Sequence, residues 1–155
     1  MTPGENRVRP PAADSGLYVL WLHVADAVSV NVGALGSWTV EPGLFAYVGS
    51  ARRGRSARIA RHLRTDKVRR WHIDYFRPAG HVVAVTYVDA PELTECRLAE
   101  HLADRLEGTR AIPRFGSSDC RCPGHLLRFA DLDAWSRASA IVSPATTVPS
   151  PATAP

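Results

Sequence analysis

The stretch GLYVLWLHVADAVSVNVGALGSWTVEPGLFAYVG, residues 16–49, decides the fold class. GLYVLWLHV (16–24) is an unbroken apolar run with aromatic and β-branched residues, the mark of a buried strand. VSVNV (28–32) and SWTVE (37–41) are short strand candidates, and the GALG between them reads as a hairpin turn. Pro42 and Gly43 turn the chain again before LFAYVG (44–49) returns as a strand. Beyond it, from about Ser56, the pattern switches to a helix on which Ile59 and Leu63 stand four apart. HVVAVTYV (81–88) is a further strand, and DAPELTECRLAEHLADRLEG (89–108) reads as a helix started by Asp89 and stopped by Gly108. RFGSSDCRCPGHLLRF (114–129) is a compact loop leading into a short strand or helix. Hairpins first, then helix, strand and helix, describe a small α+β domain. Its sheet is expected to be mixed and mainly antiparallel, with flanking helices, rather than parallel and doubly wound.

The chain has 155 residues, enough for one domain with a real core. Residues 1–14 and the Ser/Ala/Thr/Pro-rich residues 136–155 read as disordered tails around a folded part at 15–135. No apolar run approaches a membrane span, and the N-terminus lacks a hydrophobic signal core. Three cysteines, Cys96, Cys120 and Cys122, are too few and too uneven for a disulfide scaffold. These features predict a cytoplasmic protein with no membrane partner. Between Arg52 and Arg70 nine basic residues face one acid, a segment charge of +8 in a chain of net +4. A basic segment on an otherwise mildly acidic chain either solvates a helix face or meets a phosphate-rich partner.

Several residues carry possible chemistry. Arg58 and His62 are four apart and share a helix face, at the edge of the buried stripe. Arginine suits a phosphate because its planar fork donates two hydrogen bonds and stays charged. Glu95 leads the stripe formed by Leu98, Leu102 and Leu106, so it faces inward from the first turn of its helix. An inward carboxylate needs a partner, either an arginine or a divalent cation. Tyr18 and Tyr47 both sit beside glycines, in Gly16-Leu17-Tyr18 and Tyr47-Val48-Gly49. Antiparallel pairing of their strands could bring both phenols to one side of the sheet; singly, each could be an ordinary core aromatic.

Gly-Leu-Tyr, then Tyr-Val-Gly, then Arg58 and His62 one turn apart, then a helix with inward Glu95 form an order that resembles the GIY-YIG nuclease superfamily. The chain is similar to a small prokaryotic GIY-YIG-like branch that occurs alone or joined to a base-excision repair glycosylase. YVGSARRG (47–54), RHLR (61–64), WHIDY (71–75), TECRLAE (94–100) and FGSSDCRCPGHL (115–126) carry that likeness. The resemblance implies a metal-dependent DNA endonuclease that hydrolyses phosphodiesters, with DNA as partner and a base-excision repair protein as a further one. It also implies Tyr18 and Tyr47 flanking the attacking water, Arg58 on the scissile phosphate, and Glu95 holding a single Mg²⁺ or Mn²⁺. His62 would support a tyrosine or act as the base. Gly49, Ser50, Arg52, Arg55, Arg61 and His72 would contact the substrate. Because the Tyr47-to-Arg58 spacing is one residue longer than usual there, Arg55 or Arg61 could take the phosphate role instead. No asparagine matches the superfamily's late one; Ser117, Ser118 and Asp119 lie in that region. The same fold could also bind nucleic acid without cutting it.

Cys120-x-Cys122-x₂-His125 offers good Zn²⁺ ligands, with Cys96 or His72 as a fourth. The alternative roles are to shape the loop or to add polar groups to the cleft, and the zinc reading would make the chain a zinc-stabilised interaction domain. His72 and Asp74, two apart in WHIDY, would share a face of an extended segment, as a charged pair or an ordinary hydrogen bond.

Overall fold

The computed structural model describes residues 14–117 and 120–150. Its framework is a six-stranded sheet in which every pairing is antiparallel. The strands are β1 (Gly16–Val24), β4 (Gly43–Ala51), β5 (His81–Val88), β6 (Thr109–Arg110), β7 (Leu126–Phe129) and β8 (Ala145–Pro149), in the order β6-β7-β4-β1-β5-β8. Strands β2 (Val28–Asn31) and β3 (Ser37–Val40) form a separate hairpin closed by a 3₁₀ turn at Gly33–Leu35. The helices are α1 (Arg55–Leu63), α2 (His72–Phe76), α3 (Glu95–Leu106) and α4 (Ala138–Ile141). The α+β architecture expected from residues 16–49 is therefore present. Among the described residues, no helix is long and apolar enough to cross a membrane.

Strand β1 is apolar throughout because it lies inside the sheet and is buried on both faces. Leu17, Val19 and Trp21 pack with Leu98, Leu102 and Leu106 of α3 and with Ala138 and Val142 beyond it. Tyr18, Leu20 and Leu22 point the other way, onto Ile59 of α1, Ile73 and Phe76 of α2, and Phe115. Leu98 and Leu102 are fully buried, and each contributes about 1.5–3 kcal/mol of hydrophobic stabilisation. The sheet is thus sandwiched between two helical layers, and the layer of α1 and α2 carries the features of interest below.

Five expectations change. Residues 136–149 are part of the domain, not a tail: Ala138 and Val142 are buried, and β8 pairs with β5 in the register Val85↔Val148. An unpaired edge of β5 would leave its ladder groups open, and the β-branched Thr146-Thr147-Val148 supplies the missing strand despite low hydrophobicity. Asp14 also belongs to the domain, since its carboxylate accepts hydrogen bonds from the Ser56 backbone and hydroxyl. Residues 1–13 lie outside the described residues.

The helix expected over 89–108 begins only at Glu95. Thr94 is its N-cap, its hydroxyl accepting from the Arg97 N–H at 3.2 Å, while Asp89 is drawn off to pair with Arg55. The WHIDY segment is the short helix α2 rather than extended, because Asp74 accepts from the backbone N–H groups of Arg70 and Trp71 and so fixes a helical first turn. On α1 the buried stripe is Arg55, Ile59 and His62, whereas Leu63 is 40% exposed.

Candidate functional site

The register of β1 on β4 sets the site. Tyr18 pairs with Gly49 and Leu20 with Tyr47, so both phenols stand on the same face. Gly49 is required there: a Cβ on it would lie 2.6 Å from the Tyr18 hydroxyl, so the Tyr18 ring lies across bare backbone. Helix α1 then brings His62 onto the same spot, with its Nε2 2.7 Å from the Tyr18 hydroxyl and its ring edge-on to Tyr47. Arg58, one turn earlier, donates from Nη1 to the Ser50 carbonyl at 2.8 Å. From the opposite helical layer, the first turn of α3 delivers Glu95, whose Oε2 accepts a hydrogen bond from the Ser50 hydroxyl. Its position at N1 also sets the carboxylate where the helix dipole favours negative charge.

These side chains line one cleft of about 210 Å³, together with Gly49, Ser50, His72, Arg70, Trp71 and Gly116. A larger depression of about 600 Å³ opens at the far end of β1, around His23, Asp26, Arg77 and His81, and contains none of the candidate residues. The five residues Tyr18, Tyr47, Arg58, His62 and Glu95 therefore meet although 77 positions separate the first from the last in sequence. Arg52 is exposed and borders an adjoining depression shared by Ser50, Glu95 and Gly116.

Two of the arginines expected at the substrate do not line the cleft. Arg55 is 6% exposed and directs Nη1 at the Leu17 and Val88 carbonyls and Nη2 at Asp89, stapling α1 across the sheet ends. Arg61 spends its fork on Asp74 and the Val68 carbonyl. Asp74 does not pair with His72; it is buried beneath Arg61 and Lys67, while His72 Nδ1 accepts the Gly116 N–H at 2.7 Å. Ser117 is fully buried, and Ser118 and Asp119 lie outside the described residues.

Trp71 and Arg70 were not singled out from sequence. The Trp71 ring carries three guanidinium groups, Arg58 at 5.0 Å, Arg61 at 4.6 Å and Arg70 at 5.6 Å from its centroid. The signal was an aromatic set among basic residues in RRWHIDY, the interleaving that nucleic-acid surfaces use. Asp74 underpins that platform. Burial alone would raise its carboxyl, but hydrogen bonds from Arg61, Trp71 and Arg70 outweigh burial and hold it below its ordinary value.

Burial also governs the titration of the cleft. It raises the Tyr18 and Tyr47 phenols well above their usual range, and the nearby Arg58 charge only partly opposes this for either. Burial, with the Lys67 charge adding, brings His62 down to about 4. At neutral pH the cleft therefore holds two neutral phenols and a neutral imidazole. An unfolded histidine binds its proton near 6.5 and the folded His62 only near 4, so between those values the unfolded chain holds more protons. Stability is expected to fall by up to about 3 kcal/mol as pH drops through that window. Urea denaturation at a series of pH values checks this, and His62→Gln should flatten the profile.

Beside the cleft, the ligand atoms of Cys96, Cys122 and His125 lie within 4.8 Å of one another, a group able to hold a metal ion.

Residues 17–146 match the model of a family described as a domain of unknown function, DUF123. The chain belongs to this family. The match runs from the second residue of β1 to the second residue of β8, so α4 and the start of the C-terminal strand are inside the family's domain. No curated protein and no solved structure matches the chain.

Proposed function

We propose that this chain is a metal-dependent DNA endonuclease, a phosphodiester hydrolase whose active site is the cleft between β1, β4, α1 and α3. One observation carries the reading: two phenols, an imidazole, a guanidinium and a carboxylate, scattered in sequence, line a single cleft beside a strongly basic segment.

Each side chain has a task that its surroundings support. Arg58 is aimed by the Ser50 carbonyl and stacked on Trp71, so its charge meets a phosphate with little loss of freedom. Tyr18 takes a proton from the attacking water as its own passes to His62 Nε2 across the 2.7 Å contact. The water oxygen then bonds to phosphorus as the ester P–O bond breaks, and the leaving oxygen takes a proton from solvent. Tyr47, packed edge-on against His62 and Phe115, fixes the opposite wall. Trp71 with Arg70 extends the contact along the backbone or a base.

Glu95 fits a Mg²⁺ or Mn²⁺ ion: its side chain is 31% exposed on the cleft wall, and such ions commonly take one carboxylate plus water and substrate phosphate. A bound cation would supply charge neutralisation at the leaving oxygen. The link to DNA repair and to a base-excision repair partner rests on the resemblance alone.

A second reading, nucleic-acid binding without cleavage, draws on one observation. Both Glu95 oxygens already have neighbours inside the protein, Ser50 at Oε2 and His125 Nδ1 3.2 Å from Oε1. Incubation with plasmid, branched, flapped and single-stranded DNA, in Mg²⁺, Mn²⁺ or EDTA, separates the two. Metal-dependent strand scission of at least one substrate is expected; salt-sensitive binding to all of them with no scission in either metal would leave the binding module.

A further inference from the structure

Three thiols and an imidazole from two separate parts of the chain gather beside the first turn of α3. Cys96 comes from that turn; Cys120, Cys122 and His125 come from the loop between β6 and β7. The Cys96 sulfur is 3.5 Å from that of Cys120 and 3.6 Å from His125 Nε2, and the Cys120 sulfur is 3.7 Å from the same nitrogen. Cys122 completes the set, its sulfur within 4.8 Å of the ligand atoms of Cys96 and His125. Tetrahedral zinc, with Zn–S near 2.3 Å and Zn–N near 2.0–2.1 Å, places its sulfurs about 3.8 Å apart and sulfur about 3.6 Å from nitrogen. The Cys96–Cys120, Cys96–His125 and Cys120–His125 spacings lie close to those values.

We infer that Cys96, Cys120, Cys122 and His125 form a Cys₃His zinc site that pins the β6–β7 loop to the start of α3. Thiolates select zinc over the hard cations that a lone carboxylate would take. Four protein ligands close the coordination sphere, which makes the site structural rather than catalytic. His72 is not a ligand, because its Nδ1 already accepts the Gly116 N–H.

The surroundings are built for the purpose. Arg114 gathers the loop by donating to the carbonyls of Ser117, Cys120 and Cys122, which turns the cysteines inward. The His125 backbone is held from both sides, its N–H on the Phe115 carbonyl and its carbonyl on the Val48 N–H. Its Nδ1, buried and without a hydrogen bond of good geometry, sits 3.2 Å from Glu95 Oε1. A carboxylate on the far nitrogen of a metal-bound histidine is the usual outer partner of zinc. The zinc site therefore also sets the position of Glu95 and of Gly116 on the cleft wall, yet its existence does not depend on the cleft's activity.

The test is metal content by mass spectrometry of full-length protein purified without a histidine tag, paired with substitution by Co²⁺. About one zinc per chain is expected, and the Co²⁺ form should show the intense thiolate-to-cobalt absorption of a tetrahedral site. Cys122→Ser and His125→Ala should lose zinc or bind it at least tenfold more weakly, read by chelator competition, which does not require them to be as stable as wild type. Wild-type protein with three freely alkylated thiols and no zinc after refolding in its presence overturns the assignment. So does a Cys96–Cys120 disulfide in the purified chain, or another metal at stoichiometric level.

Discussion

Replacing Glu95 by glutamine is expected to leave DNA bound and uncut. The amide keeps the shape of the side chain and can still meet the Ser50 hydroxyl, but it surrenders the negative charge that faces the cleft. A site that uses a divalent cation loses its only anchoring carboxylate among the residues lining the cleft, and cleavage should fall roughly 10³-fold. Affinity for a polyanion should hold or rise, because the change removes a repulsive charge from a basic surface. Gel-shift and cleavage assays on the same preparation read both quantities. Cleavage within tenfold of wild type would remove Glu95 from the chemistry.

The second large effect is on stability. Asp74→Ala should cost about 3–5 kcal/mol, because it strips one carboxylate from two cations and two backbone donors at once. Arg61 lies 2.9 Å from Oδ1 and Lys67 3.7 Å, while the Arg70 and Trp71 N–H groups reach Oδ2 at 2.7 and 2.9 Å. Asp74 is 1% exposed, so water cannot replace what is lost. For a domain of this size the melting temperature should drop by roughly 10–15 °C, read by circular dichroism. DNA affinity should fall with it, since Asp74 holds both the start of α2 and the Arg61 side of the Trp71 platform. A melting temperature unchanged within a few degrees would show that Asp74 carries no such load.

Periodicity made much of this molecule legible. The unbroken apolar run of β1 marked a strand buried on both faces of the sheet, and the Leu98-Leu102-Leu106 stripe told that Glu95 faces inward. What could not be read were the partners of the charged groups. Arg55 and Arg58 are indistinguishable in a basic run, yet one meets two strand-end carbonyls and the other the cleft. Leu63 is the better apolar residue, but His62 takes the buried place because a tyrosine hydroxyl waits there. Residues 145–149 looked too polar to order on their own, and pairing with the β5 edge is what orders them. Whether Cys96 or His72 joins the cysteine loop was likewise open in the sequence; the fold sets Cys96 beside Cys122 and His125, while His72 accepts the Gly116 N–H.

The convergence of distant residues into one hydrolytic unit is tested most directly by a cycle of Tyr18→Phe, Glu95→Gln and the double variant, followed by single-turnover cleavage in Mg²⁺. Residues that act together in one step are strongly non-additive. Each single change should slow cleavage by about 100-fold or more, and the double should be little slower than the worse single. Losses that multiply, or a Tyr18→Phe enzyme that cuts at the wild-type rate, would contradict a shared site.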